Sequence, residues 1–184
     1  MKLIILDRDG VINQDSDAYI KSPDEWIPID NSLQAIAKLS RAGYRVFVAT
    51  NQSGLARGLF DIETLNAIHQ KMIDAVQAVG GSIEAILFCP HGPEDHCDCR
   101  KPKTGLYEEI GLRTQQSLKE VPVIGDSLRD IQAAISIKAY PILVRTGNGE
   151  KTVEKLRATY PQVPAFKDLF SVTEHLIEQQ RTNQ

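Results

Sequence analysis

The chain has 184 residues, 42% of them hydrophobic and 24% charged, with a formal net charge of −3. That balance belongs to a folded globular protein and excludes a disordered, collagen-like or coiled-coil chain. At this length a single domain, residues 1–184, hides roughly 70% of its unfolded surface without help from disulfides. The acidic balance argues against non-specific nucleic-acid binding. No apolar run approaches the ~20 residues of a membrane span, and Met1–Gly10 is charged too early for a signal peptide. The expectation is a cytoplasmic protein with no membrane or nucleic-acid partner. No interface stripe stands out, so a monomer is expected.

Short apolar runs alternate with amphipathic stretches. Leu3–Leu6 reads as a buried strand. Asn31 or Ser32 caps a helix carrying Leu33, Ile36, Ala37 and Leu39, which Gly43 stops. Val46–Ala49 is a second strand. A helix from about Asp61 places Leu65, Ile68, Met72, Ile73, Val76 and Val79 at helical spacing, ended by Gly80-Gly81. Ala85–Phe88 is a third strand and Val121–Ile124 a fourth, with a cysteine-bearing loop and a helix near Leu106–Gln116 between them. A helix over about Leu128–Lys138 and the strand Pro141–Val144 follow. The tail adds a helix near Glu150–Ala158, a short piece at Val163–Phe166 and a last helix near Leu169–Gln179. This alternation predicts an α/β fold: a Rossmann-like parallel sheet with helices on both faces.

Such sheets bind ligands beyond the carboxyl ends of their strands. The polar residues that follow the strands are Asp7-Arg8-Asp9-Gly10, Thr50-Asn51-Gln52-Ser53-Gly54, Cys89-Pro90-His91 and Gly125-Asp126-Ser127. Turn preference explains any one of these; a shared site explains all of them. Asp7 and Asp9 are two apart and point to one side of an extended chain. Their repulsion calls for a cation. Mg²⁺ suits one or two carboxylates plus substrate oxygens, and Asp126 is the natural third contributor. A carboxylate can attack phosphorus covalently while its neighbour gives and takes the proton. Phosphoryl transfer otherwise needs a hydroxyl and a cation to balance charge, which Thr50, Arg100 and Lys101 offer.

Cys89, His91, Cys97 and Cys99 supply three thiols and an imidazole within eleven residues. Three sulfurs and one nitrogen make a closed tetrahedral Zn²⁺ set with no position left for water, so a structural zinc is expected to staple this loop. His91 is preferred over His96, which abuts Cys97. The loop leads straight into Arg100 and Lys101.

D-R-D-G-V at 7–11, T-N-Q-S-G at 50–54, C-R-K-P at 99–102 and G-D-S-L-R-D at 125–130 resemble, in order, the four motifs of the haloacid dehalogenase (HAD) superfamily of phosphatases. The resemblance implies that Asp7 is the nucleophile and Asp9 the acid/base, with Thr50 and Lys101 holding the phosphoryl group. It places Mg²⁺ on Asp7, the Asp9 carbonyl and Asp126. Asp130 either supports the metal or begins a helix. C-P-H followed by C-x-C-R-K-P further resembles the zinc-loop phosphatases of heptose bisphosphate and histidinol phosphate. That implies a Mg²⁺-dependent enzyme removing the 7-phosphate of a heptose 1,7-bisphosphate, in lipopolysaccharide core synthesis. Histidinol phosphate is the alternative substrate. A non-catalytic, zinc-stabilised phospho-ligand module is the alternative from another class.

There is room for no large cap domain, so the site should be open and walled by the loop 13–26 and the zinc loop. Substrate contacts are expected from Arg8, Asp15, Ser16, Asp17, Tyr19, Asn51, Gln52, Ser53 and Arg100. His69 and His175 read as surface or core residues, Arg57 as a loop brace, and Trp26 and Phe60 as packing. Thr146-Gly147-Asn148-Gly149 is a weak phosphate-loop signal without a Walker lysine.

Overall fold

A computed structural model describes residues 2–182. Six parallel strands form one sheet: β1 (Lys2–Leu6), β2 (Tyr44–Asn51), β3 (Ala85–Cys89), β4 (Pro122–Gly125), β5 (Tyr140–Val144) and β6 (Ala165–Phe166). Six helices alternate with them: α1 (Ser32–Arg41), α2 (Ile62–Ala78), α3 (Gly105–Thr114), α4 (Leu128–Ser136), α5 (Gly149–Thr159) and α6 (Leu169–Thr182). Every expected element is present, with ends shifted by a few residues. The second strand is twice its expected length, because Tyr44 and Arg45 pair with Lys2 and Leu3, and Thr50 and Asn51 with Phe88 and Cys89.

The strand order is β3-β2-β1-β4-β5-β6. The chain winds outward from β1 to β3, then returns to the far side of β1. The direction therefore reverses between β1 and β4, where the crossovers leave a crevice at the strands' carboxyl ends. Side chains alternate strictly about the sheet. Ile4, Leu6, Val46, Val48, Ile124, Ile142 and Val144 face α1, α2 and α6 through Ile36, Leu39, Ile68, Met72, Leu169 and Val172. Leu3, Ile5, Phe47, Ala49, Leu87 and Val123 face α3 and α4 through Leu106, Tyr107, Ile110, Ala133 and Ala134. Leu143 packs with Ile131, Val153 and Leu156 of α4 and α5. Strands buried on both faces must be apolar on both, which is why they read as unbroken apolar runs.

Trp26 is buried and Phe60 nearly so, both in packing roles. Residues 7–31, between β1 and α1, hold only a short 3₁₀ turn at Pro23–Glu25, and no inserted domain stands there among the described residues. No helix is long and apolar enough to cross a membrane among the described residues.

Candidate active site

Asp7 leaves β1 with its backbone N–H on the Ile124 carbonyl of β4, at 2.9 Å. That single bond sets Asp7 beside the end of β4, where Asp126 follows. Asp7, Asp126 and Asp130 each bring a carboxylate oxygen to within 4.8 Å of the others. Gly10 closes the turn at φ +79°, and a Cβ there would lie 2.2 Å from Asp126 Oδ2, so only glycine lets the two strand ends meet.

Lys101 is 2% exposed and spends its ammonium inside this cluster. Nζ donates to the Ala49 carbonyl at 2.8 Å and pairs with Asp7 Oδ1 at 3.0 Å and Asp130 Oδ1 at 2.6 Å. One hydrogen bond and two ion pairs thus hold the ammonium inside the cluster. Burial opposes the charge of Lys101, but Asp130 and Asp7 outweigh it and hold the lysine protonated. Burial raises the Asp7 carboxyl well above the usual range, against the pull of Lys101. Burial, then Asp130 and Asp15, push Asp126 up to about 7. Asp130 feels the same burial, yet Lys101 and the Ser127 hydrogen bonds keep its carboxyl below the usual value. Of the two expectations for Asp130, metal support or helix start, the structure shows the helix start, and it places the same carboxylate beside Asp7 and Asp126. Its Oδ2 accepts from Ser127 N and Oγ as the first-turn cap of α4, while Oδ1 meets Lys101.

These carboxylates suit a hard divalent cation. Two oxygen-bearing groups with raised proton affinity, Asp7 and Asp126, face one another in a buried corner, and a cation there relieves the repulsion that raises them. The β5–α5 loop completes the corner. Asn148 N donates to Asp126 Oδ2 at 2.7 Å, and Thr146 Oγ1 donates to the Gly10 carbonyl at 2.6 Å. Gly147 sits at φ +57° with no room for a Cβ against Asp126 and Gly10. T-G-N-G, set aside in the sequence as a weak phosphate-loop signal, holds a carboxylate instead, and only its position in space reveals that.

Asp9 is gripped from behind. Arg8, expected as a substrate contact, is fully buried and does not line the cavity. Its Nε and one terminal nitrogen fork onto the Asp9 carboxylate at 2.9–3.1 Å. Asn13 Nδ2 and Gln52 Nε2 add bonds of 2.9 and 2.8 Å. Burial raises Asp9, but Arg8 and these donors overcome it and leave the carboxyl below the usual range. Arg8 also reaches Gln52 Oε1 at 3.2 Å and His69 Nε2 at 3.2 Å. His69 is thus no idle core residue. Burial and then Arg8 depress its pKa to about 3, so the ring is neutral and Nε2 accepts.

Thr50 is buried at the end of β2, its Oγ1 accepting from Gln52 Nε2 at 2.9 Å. Asn51 turns its amide onto the Lys101 backbone, donating to the carbonyl and accepting from the N–H, both at 3.1 Å. That double bond ties β2 to the segment after the cysteine loop. Asp7, Asp9, Thr50, Asn51, Gln52, Ser53, Lys101 and Asp126 line a cavity of about 460 Å³, joined by Asp15, Ser16, Asp17, Tyr19 and Arg100. Sequence reasoning missed Arg129 and Asn148 on this wall and gave Arg57 only a bracing role. Arg57 lies 5.9 Å over the Tyr19 ring. Among the described residues, no carboxylate lies at salt-bridge distance from Arg57, Arg100 or Arg129.

The second cluster is the cysteine loop. Sγ atoms of Cys89, Cys97 and Cys99 stand 3.1–3.6 Å apart. His91 Nδ1 lies 3.6 Å from Cys89 and 3.3 Å from Cys99. All three cysteines are free, and disulfide sulfurs would sit at about 2.05 Å. A tetrahedron with Zn–S bonds of about 2.3 Å has edges near 3.8 Å, so the four donors surround a space of the right size. His96 is not in the cluster. Burial and hydrogen bonding push the Cys89 thiol up to about 12. Cys97 is lowered to about 7, because hydrogen bonds from Arg100 and Cys99 outweigh its burial.

Fold and site together define a phosphoric monoester hydrolase of the HAD type. A HAD-hydrolase-like family model matches residues 98–169, and a model for polynucleotide kinase 3 phosphatase matches residues 2–133. The chain belongs to the HAD superfamily and, within it, to the family of the D-glycero-β-D-manno-heptose-1,7-bisphosphate 7-phosphatases. The protein of that name from Bordetella bronchiseptica is 56% identical over 97% of this chain and 99% of its own. The one from Pseudomonas putida is 51% identical over 96% of this chain and all of its own. The crystal structure of the B. bronchiseptica D,D-heptose 1,7-bisphosphate phosphatase complexed with magnesium and phosphate superposes with a TM-score of 0.94, over 97% of this chain and 99% of that one.

Proposed function

We propose that the chain, acting as one phosphatase unit over residues 1–184, removes the 7-phosphate of D-glycero-D-manno-heptose 1,7-bisphosphate through an aspartyl phosphate on Asp7. The observation that carries this reading is the basic outer wall of the cavity. Arg57, Arg100 and Arg129, unpaired with any carboxylate among the described residues, surround a pocket whose floor is the Asp7–Asp9–Asp126 corner. A substrate with one phosphate at the floor and a second at the wall fits that charge pattern, and guanidinium forks match phosphate geometry. The reading agrees with what the relatives' names state of those proteins.

In this reading Asp7 attacks phosphorus, its carboxylate oriented by the Lys101 ammonium. Thr50 donates its hydroxyl proton to a phosphoryl oxygen. The incoming dianion raises the proton affinity of Asp9, so Asp9 can hand a proton to the leaving sugar oxygen and later take one from water. The B. bronchiseptica relative was crystallised with magnesium and phosphate, which supports Mg²⁺ as the cation; here it would be held by Asp7, the Asp9 carbonyl and Asp126, and when bound it would neutralise charge on the phosphoryl oxygens. Asp15, Ser16, Asp17 and Tyr19 on the facing loop would bond sugar hydroxyls.

Histidinol phosphate would bring an amine where three arginines stand, and like charges in a pocket are costly. Rates on the two substrates test the proposal. Heptose bisphosphate should exceed histidinol phosphate in kcat/KM by on the order of 100-fold or more, about 3 kcal/mol. Equal values would discard the assignment of the second phosphate to the arginine wall. No phosphate release with or without Mg²⁺ would leave a binding module instead.

We also propose a structural zinc on Cys89, His91, Cys97 and Cys99. Elemental analysis should find about one zinc per chain. Cys97→Ser should lower zinc content and thermal stability together, since metal binding and loop folding are one equilibrium. Full metal content and unchanged melting in that variant would remove the zinc.

A further inference from the structure

The inner face of α2 is apolar at Leu65, Ile68, Met72 and Val76, and His69 interrupts it. A buried polar ring without a partner is costly, so a histidine here calls for an explanation beyond packing. Its contact supplies one. The Arg8 guanidinium has five N–H donors in a fixed plane. Nε and one terminal nitrogen fork onto Asp9, and that same terminal nitrogen touches Gln52 Oε1. Among the described residues, the other terminal nitrogen has one hydrogen-bond partner, His69 Nε2 at 3.2 Å. Phe88 stands against the imidazole at 6.0 Å between ring centroids. The chain of contacts runs from α2, through a wholly buried arginine, to the carboxylate read as acid/base.

We propose that His69 is a positioning residue for the phosphatase reaction: it anchors the far edge of Arg8 and so fixes the fork that orients the Asp9 carboxylate. This rests on the reading of Asp7 as nucleophile and Asp9 as acid/base. The half-reaction that depends on it is the second. A water oxygen attacks the phosphorus carried by Asp7, and the bond from phosphorus to the Asp7 oxygen breaks. One water proton passes to Asp9, and inorganic phosphate leaves. Asp9 must stand at hydrogen-bond reach of that water, and a displacement of about 1 Å is enough to lose a factor on the order of 100. With His69 removed, the outer nitrogen of Arg8 is a buried donor without an acceptor. The guanidinium then swings to find one and carries the carboxylate with it.

p-Nitrophenyl phosphate separates the two halves, because nitrophenolate leaves without a proton and its release reports phosphorylation of Asp7 alone. His69→Leu should lower kcat about 10- to 100-fold, with kcat/KM within about threefold of the parent, because kcat/KM ends at the first irreversible step. A burst of nitrophenolate approaching one per chain should appear, and acid quenching should trap the phosphoenzyme. His69→Gln, which keeps a side-chain acceptor, should recover most of kcat. His69→Met replaces the leucine variant if that one does not fold. A parallel fall of kcat and kcat/KM without a burst would mean a packing role and overturn the proposal. So would parental turnover in His69→Leu, or equal impairment in His69→Gln. Asp9→Asn, run alongside, tests the parent reading separately. Parental turnover in that variant refutes Asp9 as acid/base, and the role of His69 falls with it.

Discussion

Asp7→Asn is expected to lose phosphatase turnover by on the order of 10⁴-fold or more while keeping its fold and its zinc. The amide has the shape of the carboxylate, so the backbone bond from Asp7 N to Ile124 and the surrounding packing survive. What disappears is the nucleophile, one of the oxygens offered to Mg²⁺, and the negative partner of Lys101 at 3.0 Å. Losing an anion from a cluster of Asp7, Asp126 and Asp130 also relieves repulsion, since Asp130 and Asp126 both raise Asp7. Stability should therefore hold or rise slightly as activity vanishes. Phosphate release and a denaturant melt check both halves. Retained turnover would move the covalent role elsewhere and undo the mechanism proposed above.

Lys101→Met should be the most destabilising change at the site. The ammonium is buried between Asp7, Asp130 and the Ala49 carbonyl. Methionine preserves length and removes the charge, leaving two carboxylates facing each other in a desolvated corner. Breaking a buried pair in this way costs about 3–5 kcal/mol. Activity should fall by at least about 100-fold, because charge balance at the phosphoryl group and the orientation of Asp7 are lost together. Lys101→Met combined with Asp130→Asn should regain part of the stability, since one uncompensated charge is then gone, but little of the activity. Chemical denaturation of Lys101→Met, of Asp130→Asn and of the double variant measures this coupling. A single variant as stable as the parent would show that Lys101 does not balance Asp7 and Asp130.

The two variants probe different layers of what was readable beforehand. Asp7, Asp9, Thr50 and Asp126 were legible as candidates because they lie where apolar runs end, and a parallel sheet delivers the ends of its strands to one edge; Lys101 was legible only through the C-R-K-P motif that follows the cysteine loop. Cys89, His91, Cys97 and Cys99 were legible because ligand type and short spacing carry their own chemistry. Arg8 was misplaced for a definable reason. Its neighbours in sequence are two site aspartates, but its side chain turns inward toward α2, and nothing in D-R-D-G states the direction. Asn51 was expected to meet substrate and also holds the Lys101 backbone, a partner 50 positions away.

The amino-acid sequence alone determined the alternation of buried strands with amphipathic helices, the acidic pair that calls for a cation, and the thiol–imidazole quartet. Local spacing and side-chain chemistry suffice for these. Tertiary structure alone decided that Asn148 reaches Asp126, 22 positions away, and that His69 reaches Arg8, 61 positions away. It also decided that the Lys101 ammonium sits between Asp7, Asp130 and the Ala49 carbonyl. Such partnerships depend on how separate elements dock and which rotamer fits the gap between them, and the order of residues along a chain does not encode either one locally.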